Sequence, residues 1–269
     1  MFNLRPLEDF PTDVARSIRY VFSDLDDTIT THGRLDPISY RALCDLNRAG
    51  IYVFVVTGGP AGWCDCIARM WPVHAVVGES GAFYMRKDPL TQRLITRGFV
   101  EELDKHLFVN KMTNIKEKLL KRFPTLCLSS DQFSRLYDLA IELDSVSEQK
   151  DKSQTPQLSE VIDYLHGCGL STKISSIHIN ATLGPWDKLS TTKTMIRELM
   201  GIELKDILAS SIFIGDSLND DTMFGFFDHS IGVANVRRYE STLAHVPKWI
   251  TQSERGEGFT EFAHFLLKQ

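Results

Sequence analysis

The first part of the chain alternates short apolar runs with segments of helical periodicity. The runs Ile18–Ser23, Ile51–Val56 and His74–Val77 consist mainly of apolar residues, which predicts strands that are largely buried. Between them, Asp36–Ala49 and Trp63–Met70 repeat apolar residues at helical spacing, which predicts two helices. Strands that alternate with helices favour right-handed crossovers and a doubly wound parallel sheet.

The pattern changes in the middle of the chain, where strands follow one another more closely. The predicted elements are strands at Ala82–Arg86, Arg93–Gly98, Thr125–Ser129, Leu136–Leu143 and Ser175–Ala181, helices at Glu101–Phe123 and Thr155–Gly167, and an exposed loop at Ser145–Ser153. The first two strands are predicted to pair in antiparallel fashion. This mixture is typical of an α+β unit.

After Trp186 the first pattern returns. The predicted elements are helices at Lys188–Met200, Met223–Phe227 and Gly258–Leu267, and strands at Ser211–Ile214, Ile231–Val233 and Trp249–Thr251. The sequence therefore predicts an α/β fold with a doubly wound, Rossmann-like parallel sheet. Residues 1–82 and 185–269 would form this core, and residues 83–184 an inserted α+β domain.

Composition narrows the class of protein. The chain has 269 residues, of which 43% are hydrophobic, and a net charge of −5, which argues against a broad nucleic-acid surface. No apolar run is long enough to cross a bilayer, and the N-terminus has no signal-peptide pattern. Five irregularly spaced cysteines fit reduced thiols, so we expect a cytoplasmic protein that does not bind membranes.

Three predicted strands end in residues suited to chemistry. Asp24, Asp26 and Asp27 follow the first strand, Thr57-Gly58 follows the second, and Gly215–Asp221 follows a later one. In an open α/β sheet, ligands bind beyond the carboxyl ends of the strands, so these residues are expected to converge. A lysine before the later strand, Lys188 or Lys193, would add a fixed positive charge.

This residue set suits phosphoryl transfer. One carboxylate can attack phosphorus and form an aspartyl-phosphate, and a second acid two residues on can give and take protons. Clustered aspartates are also the hard oxygen ligands that Mg²⁺ favours. A hydroxyl, backbone N–H groups and an ammonium group would bind the remaining phosphoryl oxygens.

The segments DLDDT at Asp24–Thr28 and GDSLND at Gly215–Asp220, with Thr57 and a lysine at the head of a helix between them, resemble the four motifs of the haloacid dehalogenase superfamily. An insert after GESGA at Gly78–Ala82 is similar to the branch with a large α/β cap. That branch includes sugar phosphatases, phosphomannomutase and the broad Cof-type phosphatases.

The resemblance implies a role for each matching residue. Asp24 would be the nucleophile and a Mg²⁺ ligand, and Asp26 the general acid and base that ligates Mg²⁺ through its backbone carbonyl. The remaining implied roles are phosphate binding for Thr57 and the Gly58 N–H, a further Mg²⁺ ligand in Asp216, and support of this set by Asn219 and Asp220. For the phosphate-binding lysine, Lys188 is favoured over Lys193 because it stands at the start of its helix. Asp27 and Asp221 are expected to be turn or helix-terminus acids instead of ligands.

Two positions depart from the family pattern and bear on the substrate. Gly59 stands where an arginine is usual, and Leu189 follows the lysine where glycine is usual. Polar residues of the insert that could contact a sugar are Asp131, Arg135, Tyr137 and His178, although solvated or structural roles are as well supported. Trp63 and Trp71 are expected to be core or rim residues near the entrance.

Together these features predict a Mg²⁺-dependent phosphatase for a small phosphorylated metabolite, in particular a sugar phosphate. The alternatives are a phosphomutase of the phosphomannomutase type, a phospho-acceptor signalling domain, and a binding protein without catalysis. The length of the chain and its insert count against a signalling domain, and the presence of both Asp24 and Asp26 counts against a catalytically inactive protein. A monomer or a homodimer is expected.

Overall fold

The computed structural model describes residues 4–100, 104–146, 156–175 and 177–269. Within these ranges lie α1 (Thr12–Ser17), α2 (Pro37–Arg48), α3 (Ala61–Met70), α4 (Lys105–Arg122), α5 (Leu158–Gly167), α6 (Lys188–Met200), α7 (Asp221–Phe226) and α8 (Arg255–Leu267). The strands are β1 (Arg5–Pro6), β2 (Tyr20–Ser23), β3 (Tyr52–Val56), β4 (Ala75–Gly78), β5 (Phe83–Lys87), β6 (Leu94–Gly98), β7 (Asp138–Glu142), β8 (Ser171–Ile174), β9 (His178–Thr182), β10 (Ser211–Gly215), β11 (Ser230–Gly232) and β12 (Trp249–Ile250).

Nine strands form one large sheet in the order β1-β12-β11-β10-β2-β3-β4-β5-β6. In this spatial order, every neighbouring pair from the edge strand β1 across to β4 is parallel. The last two pairs, β4–β5 and β5–β6, are antiparallel. The chain runs from β2 outwards through β3 and β4, and later from β10 outwards on the other side of β2. The predicted α/β class with a doubly wound, mostly parallel sheet is confirmed.

The central strands are buried on both faces because their side chains alternate between two hydrophobic clusters. On one face Phe22 and Phe54 stack with ring centroids 4.9 Å apart and share a cluster with Met195 of α6. On the other face Val21 and Val53 belong to a cluster that includes apolar residues of α2 and α8. Burial on both sides explains why these strands are continuously apolar in the sequence.

A second sheet lies in the predicted insert. It has three antiparallel strands in the order β7-β9-β8, and α4 and α5 contribute to its core. The hairpin of β5 and β6 is not part of this sheet, because β5 pairs with β4 and so extends the large one. The sheet topology thus differs from the predicted boundary at residue 83, since Phe83–Lys87 and Leu94–Gly98 belong to the large sheet.

Several local predictions need correction. The strand predicted at Thr125–Ser129 is a single bridge between Leu128 and Ile141, because turns after Phe123 and at Ser129 leave little extended chain between them. The short elements α1, β1 and β8 were not predicted. Parts of the predicted helices and loop at residues 101–103 and 147–155 lie outside the described residues.

Two bulk properties follow from the structure. All five cysteines are free thiols. In the described ranges, no helix is both long enough and apolar enough to traverse a lipid bilayer.

Candidate active site

The acidic segment that follows β2 begins at the carboxyl end of the large sheet. The Asp24 N–H donates to the Ile214 carbonyl at 2.9 Å, which extends the pairing of β2 with β10 by one residue. The chain then turns, because the Leu25 carbonyl accepts the N–H groups of Ile29 and Thr30 at 2.9 and 3.0 Å. Asp24 is consequently fixed at the end of a buried strand, with its side chain almost fully buried.

The start of α6 brings a lysine to this carboxylate. Asp187 caps the helix by accepting the Ser190 N–H at 2.7 Å, while the Asp187 N–H donates to the Ser190 hydroxyl at 3.0 Å. The turn before β5 packs closely on this cap, because a Cβ on Gly81 would lie 2.2 Å from the Asp187 carbonyl oxygen. Gly81 also has a φ of 109°, which favours glycine. Lys188 is the first residue of the helix, so cap and turn together fix its position.

The ammonium group of Lys188 joins three strand-end residues. Its Nζ donates to Asp24 Oδ1 at 2.6 Å, to Asp220 Oδ1 at 2.7 Å and to Asn219 Oδ1 at 3.0 Å. Lys193, the alternative left open by the sequence, lies elsewhere, with its Nζ 4.3 Å from the centroid of the Phe226 ring. Lys188 is therefore the lysine that contacts the acidic cluster.

Burial and neighbouring charges shift the pKa values of Asp24 and Lys188 in opposite directions. Burial raises the pKa of Asp24 well above its ordinary value, and Lys188 opposes this rise. Burial disfavours the charged form of Lys188, but the neighbouring carboxylates of Asp220 and Asp24 outweigh it and raise the lysine pKa. The lysine therefore stays cationic and offsets much of the cost of burying the two acids.

Three of the buried carboxylates could share a cation. One oxygen from each of Asp24, Asp216 and Asp220 lies within 4.8 Å of the others. Both Asp220 oxygens are already engaged, one by Lys188 and the other by the backbone N–H groups of Asp216 and Ser217. Asp216 Oδ1, by contrast, is buried with no hydrogen-bond partner in the part of the chain that the structure describes. An orphaned buried carboxylate oxygen beside Asp24 fits a hard divalent cation.

The loop after β3 forms the opposite wall. The Thr57 N–H donates to the Val77 carbonyl at 2.9 Å, which ends the pairing of β3 with β4. The Thr57 hydroxyl oxygen accepts the Gly59 N–H at 2.8 Å, so its own hydrogen remains able to donate. Thr57 and Gly58 both line the same cavity as Asp24.

This cavity has a volume of about 280 Å³ and lies between the large sheet and the second sheet. Asp26 lines it, and its side chain has no hydrogen bond to any described residue. Burial raises the pKa of Asp26, although the positive charge of His178, when protonated, opposes the rise. The structure therefore brings together Asp24, Asp26, Thr57, Gly58, Lys188, Asp216, Asn219 and Asp220 at one edge of the large sheet.

Comparison with known proteins gives the family. A sequence model of the haloacid dehalogenase-like hydrolases matches residues 21–262. The chain belongs to this family. The resemblance carried by Asp24–Thr28 and Gly215–Asp220 is thereby confirmed, and no curated protein sequence matches the chain significantly.

Solved structures share the fold of this hydrolase at low sequence identity. A protein from Thermoplasma acidophilum is 17% identical with a TM-score of 0.67, and the match covers 93% of this chain and 99% of that one. The sucrose-phosphatase from Synechocystis, in complex with sucrose and phosphate, is 16% identical with a TM-score of 0.59, covering 93% and 98%. The C-terminal domain of trehalose-6-phosphate phosphatase from C. albicans is 11% identical with a TM-score of 0.65, covering 99% and 98%.

The hydrolase also uses residues that the sequence did not reveal. Asn235 donates to Asp216 Oδ2 at 2.9 Å and to the Asp27 carbonyl at 3.1 Å, so it orients one carboxylate of the cluster. The sequence could have indicated Asn235, because it follows the strand predicted at Ile231–Val233 and so lies at the same edge of the sheet. Glu79 had no such signal, because its partners are backbone N–H groups from distant segments.

The expected turn acids and the candidates of the insert have distinct environments. Asp27 pairs with Arg255 at 3.1 Å and Asp221 with His245 at 2.9 Å, so neither belongs to the cluster around Lys188. Residues that line the cavity are Asp131, Arg135, His178, Trp63 and Trp71. Tyr137 is buried instead against the rings of Phe83, Phe108 and Trp186.

Proposed function

We propose that this hydrolase is a Mg²⁺-dependent phosphatase that acts on a small phosphorylated metabolite, and that a sugar phosphate is its substrate class. The observation that carries the proposal is the position of Lys188, whose Nζ lies 2.6 Å from Asp24, a residue that lines the cavity, and 2.7 Å from Asp220. A fixed cation beside a buried carboxylate, with Thr57 lining the same cavity, is an arrangement suited to phosphoryl transfer.

In the first step, Asp24 acts as the nucleophile. An oxygen of its carboxylate forms a bond to phosphorus while the bond from phosphorus to the substrate alcohol breaks. Lys188, the Thr57 hydroxyl and the Gly58 N–H stabilise the negative charge of the phosphoryl oxygens during this transfer. The product is an aspartyl-phosphate at Asp24 and a free alcohol.

Asp26 moves the protons of both steps. Its raised pKa favours the protonated form, which can donate to the leaving alcohol oxygen. In the second step the resulting carboxylate takes a proton from water as the water oxygen attacks phosphorus. The bond from Asp24 to phosphorus then breaks, and inorganic phosphate is released.

The buried oxygens of Asp24 and Asp216 would hold Mg²⁺ together with the backbone carbonyl of Asp26. When bound, Mg²⁺ would neutralise the charge that several carboxylates and a phosphoryl group bring together. Asn235 supports this role because it bonds Asp216 Oδ2 at 2.9 Å, which leaves the buried Oδ1 as the oxygen available to a cation.

The chemistry of the cavity wall supports a polyhydroxylated leaving group. Hydroxyl and imidazole groups line the side formed by the insert, and aromatic rings line the rim; these residues are Ser129, Ser130, Ser175, His178, Trp63 and Trp71. Such a mixture can hydrogen-bond sugar hydroxyls and stack on the apolar face of a sugar ring. Two structurally similar proteins carry sugar-phosphatase names, which supports the same class.

A phosphate-release screen tests the proposal. Purified protein is assayed against a panel of sugar phosphates and p-nitrophenyl phosphate with Mg²⁺ and with EDTA, and the organic products are identified. Asp24→Asn should reduce turnover by at least about 10³-fold, whereas Asp221→Asn, which pairs with His245 outside the cluster, should not. Isomerised products without phosphate release would show a phosphomutase instead, and stable phosphorylation or binding without turnover would show a non-catalytic protein. Wild-type turnover by Asp24→Asn would exclude Asp24 as the nucleophile.

A further inference from the structure

Each backbone carbonyl of the loop Thr57–Gly59 accepts a hydrogen bond from a residue outside the loop. The Thr57 carbonyl accepts the Ser80 N–H at 3.1 Å, and the Gly59 carbonyl accepts the Glu79 N–H at 3.0 Å. The Gly58 carbonyl differs because its donors are side chains of the insert. A peptide unit is planar with its C=O and N–H pointing in opposite directions, so each anchored carbonyl also sets the direction of the next N–H.

Two side chains of the insert converge on the Gly58 carbonyl. Arg135 Nη1 donates to it at 2.9 Å and Asn180 Nδ2 donates to it at 3.3 Å. Both donors are aligned by Asp138, whose carboxylate accepts Arg135 Nη1 at 3.1 Å and Asn180 Nδ2 at 2.8 Å. One buried carboxylate therefore orients two donors toward a single backbone oxygen.

Each of the three nitrogens of the Arg135 guanidinium donates to an oxygen of the protein. Its Nε and Nη2 donate to the two oxygens of Asp131 at 2.8 and 3.0 Å, and its side chain is only 1% exposed. Although Arg135 borders the cavity, its described hydrogen bonds all go to protein oxygens. Its bond to the Gly58 carbonyl gives Arg135 a route to the substrate through the loop.

Glu79 ties the same segment of the insert to the same loop. Its buried carboxylate accepts the N–H groups of Leu136 at 2.8 Å, Tyr137 at 2.5 Å and Asp138 at 3.1 Å. Its own backbone N–H donates to the Gly59 carbonyl. The segment that carries Arg135 is thus held against the loop by backbone contacts independent of the guanidinium.

We infer that Arg135 and Asn180 are positioning residues for phosphate binding: by holding the Gly58 carbonyl, they fix the Gly58–Gly59 peptide, whose N–H donates to the Thr57 hydroxyl oxygen at 2.8 Å and so orients that hydroxyl for a phosphoryl group. The inference rests on the proposed phosphatase function. Without these donors the Gly58 peptide can rotate, and its carbonyl dipole then opposes an anion in the cavity.

A positioning role and a substrate-contact role predict different kinetics. If Arg135 and Asn180 act through the loop, their loss weakens binding of the phosphoryl group for every substrate, whatever its alcohol. If they contact the sugar, their loss affects a sugar phosphate but leaves p-nitrophenyl phosphate and inorganic phosphate unchanged. Parallel measurements on these three compounds separate the two roles.

The experiment compares Asn180→Ala, Arg135→Lys and Arg135→Met with Gln132→Ala as a control. Gln132 bonds the Asp138 carbonyl and the Ala140 N–H at 2.9 Å each, so its loss perturbs the same segment without touching the loop. Asn180→Ala should raise KM for both substrates and Ki for inorganic phosphate by about tenfold or less, the value of one hydrogen bond. Arg135→Met should raise both KM values and the Ki further. Arg135→Lys should raise them less than Arg135→Met does, and Gln132→Ala should leave them unchanged.

A second readout does not depend on catalysis. Amide hydrogen exchange of Gly58 and Gly59, measured by NMR without substrate, should be faster in Asn180→Ala than in wild type and unchanged in Gln132→Ala. The positioning role is overturned if Asn180→Ala shows wild-type exchange at these amides, or if only the sugar-phosphate KM rises. If the wild-type protein releases no phosphate from any substrate, the proposed function fails, and the exchange data alone then decide whether the insert positions the loop.

Discussion

Replacing Lys188 with methionine removes the charge that holds the acidic cluster together. Methionine retains the length of the side chain, so the main change is the loss of the ammonium group between Asp24 and Asp220. Both carboxylates stay buried without their cation, and breaking a buried pair in this way costs about 3–5 kcal/mol. Against a total unfolding free energy of about 5–15 kcal/mol, the loss would be large.

The unfolding free energy that Lys188→Met loses should increase as the pH rises. Lys188 opposes the burial that raises the pKa of Asp24, so its removal raises that pKa further. The native variant then keeps a proton that the unfolded chain releases near pH 4. Its unfolding free energy therefore falls as pH rises from about 4 toward 7, by at most about 1.4 kcal/mol per pH unit for each proton. The difference from wild type should be small at pH 4.5 and largest at pH 7.

Urea denaturation followed by circular dichroism, in EDTA at pH 4.5, 5.5 and 7, measures this difference. Lys193→Met is the matched control on the same helix, because the Lys193 Nζ lies over the face of the Phe226 ring and should contribute only about 0.5–1 kcal/mol to the unfolding free energy. A Lys188→Met variant within about 1 kcal/mol of wild type at pH 7, or a loss that does not change with pH, would refute the electrostatic account of the cluster.

Three further predictions concern the metal site, an acid-labile histidine and the turn that packs on α6. Asp216→Asn should fold in EDTA but lose most of the rise in melting temperature that Mg²⁺ gives the wild type, and an equal rise would contradict a role in metal binding. Burial lowers the pKa of His74, so the native state favours the neutral ring and loses stability as pH falls below about 6.5. In urea denaturation, the unfolding free energy of His74→Asn should fall less between pH 7.5 and 5.5 than that of the wild type. The asparagine amide oxygen can still accept the Val53 N–H, so the hydrogen bond is kept while the titrating ring is removed. An identical dependence on pH in the two proteins would exclude His74 as the source of the loss. In the same assay, Gly81→Ala should lower the unfolding free energy by about 1–3 kcal/mol more than Gly169→Ala. Of these two positions, only Gly81 would place the Cβ against backbone atoms, so equal losses would contradict the close packing.

The sequence predicted the elements whose signals are local. The continuous apolar runs identified β2 and β3, and the polar residues that end them identified Asp24 and Thr57. Their convergence followed from the topology of parallel strands, because carboxyl ends meet at one edge. Lys188 was also favoured on a local signal, its place at the start of a helix, and the structure brings it to Asp24.

The contacts that the sequence could not supply are those between distant segments. Periodicity predicted the strands of the β5–β6 hairpin but not their partner, so the hairpin was assigned to the insert although it extends the large sheet. The anchoring of Gly58 by Arg135 and Asn180 spans 77 and 122 positions along the chain and depends on how the second sheet packs on the first. Glu79 is similar, because a carboxylate that binds backbone N–H groups leaves no pattern in its partners.

The central claim is that the phosphoryl group is transferred to Asp24. The most direct measurement mixes the enzyme with Mg²⁺ and a hydrolysed substrate, quenches with acid during turnover, and maps the phosphorylated peptide by mass spectrometry, with Asp26→Asn included to slow the second step. The account predicts one added phosphoryl group on the peptide that contains Asp24, removed by hydroxylamine and absent in Asp24→Asn. A phosphoryl group on another residue, or phosphate release by Asp24→Asn at the wild-type rate, would contradict it.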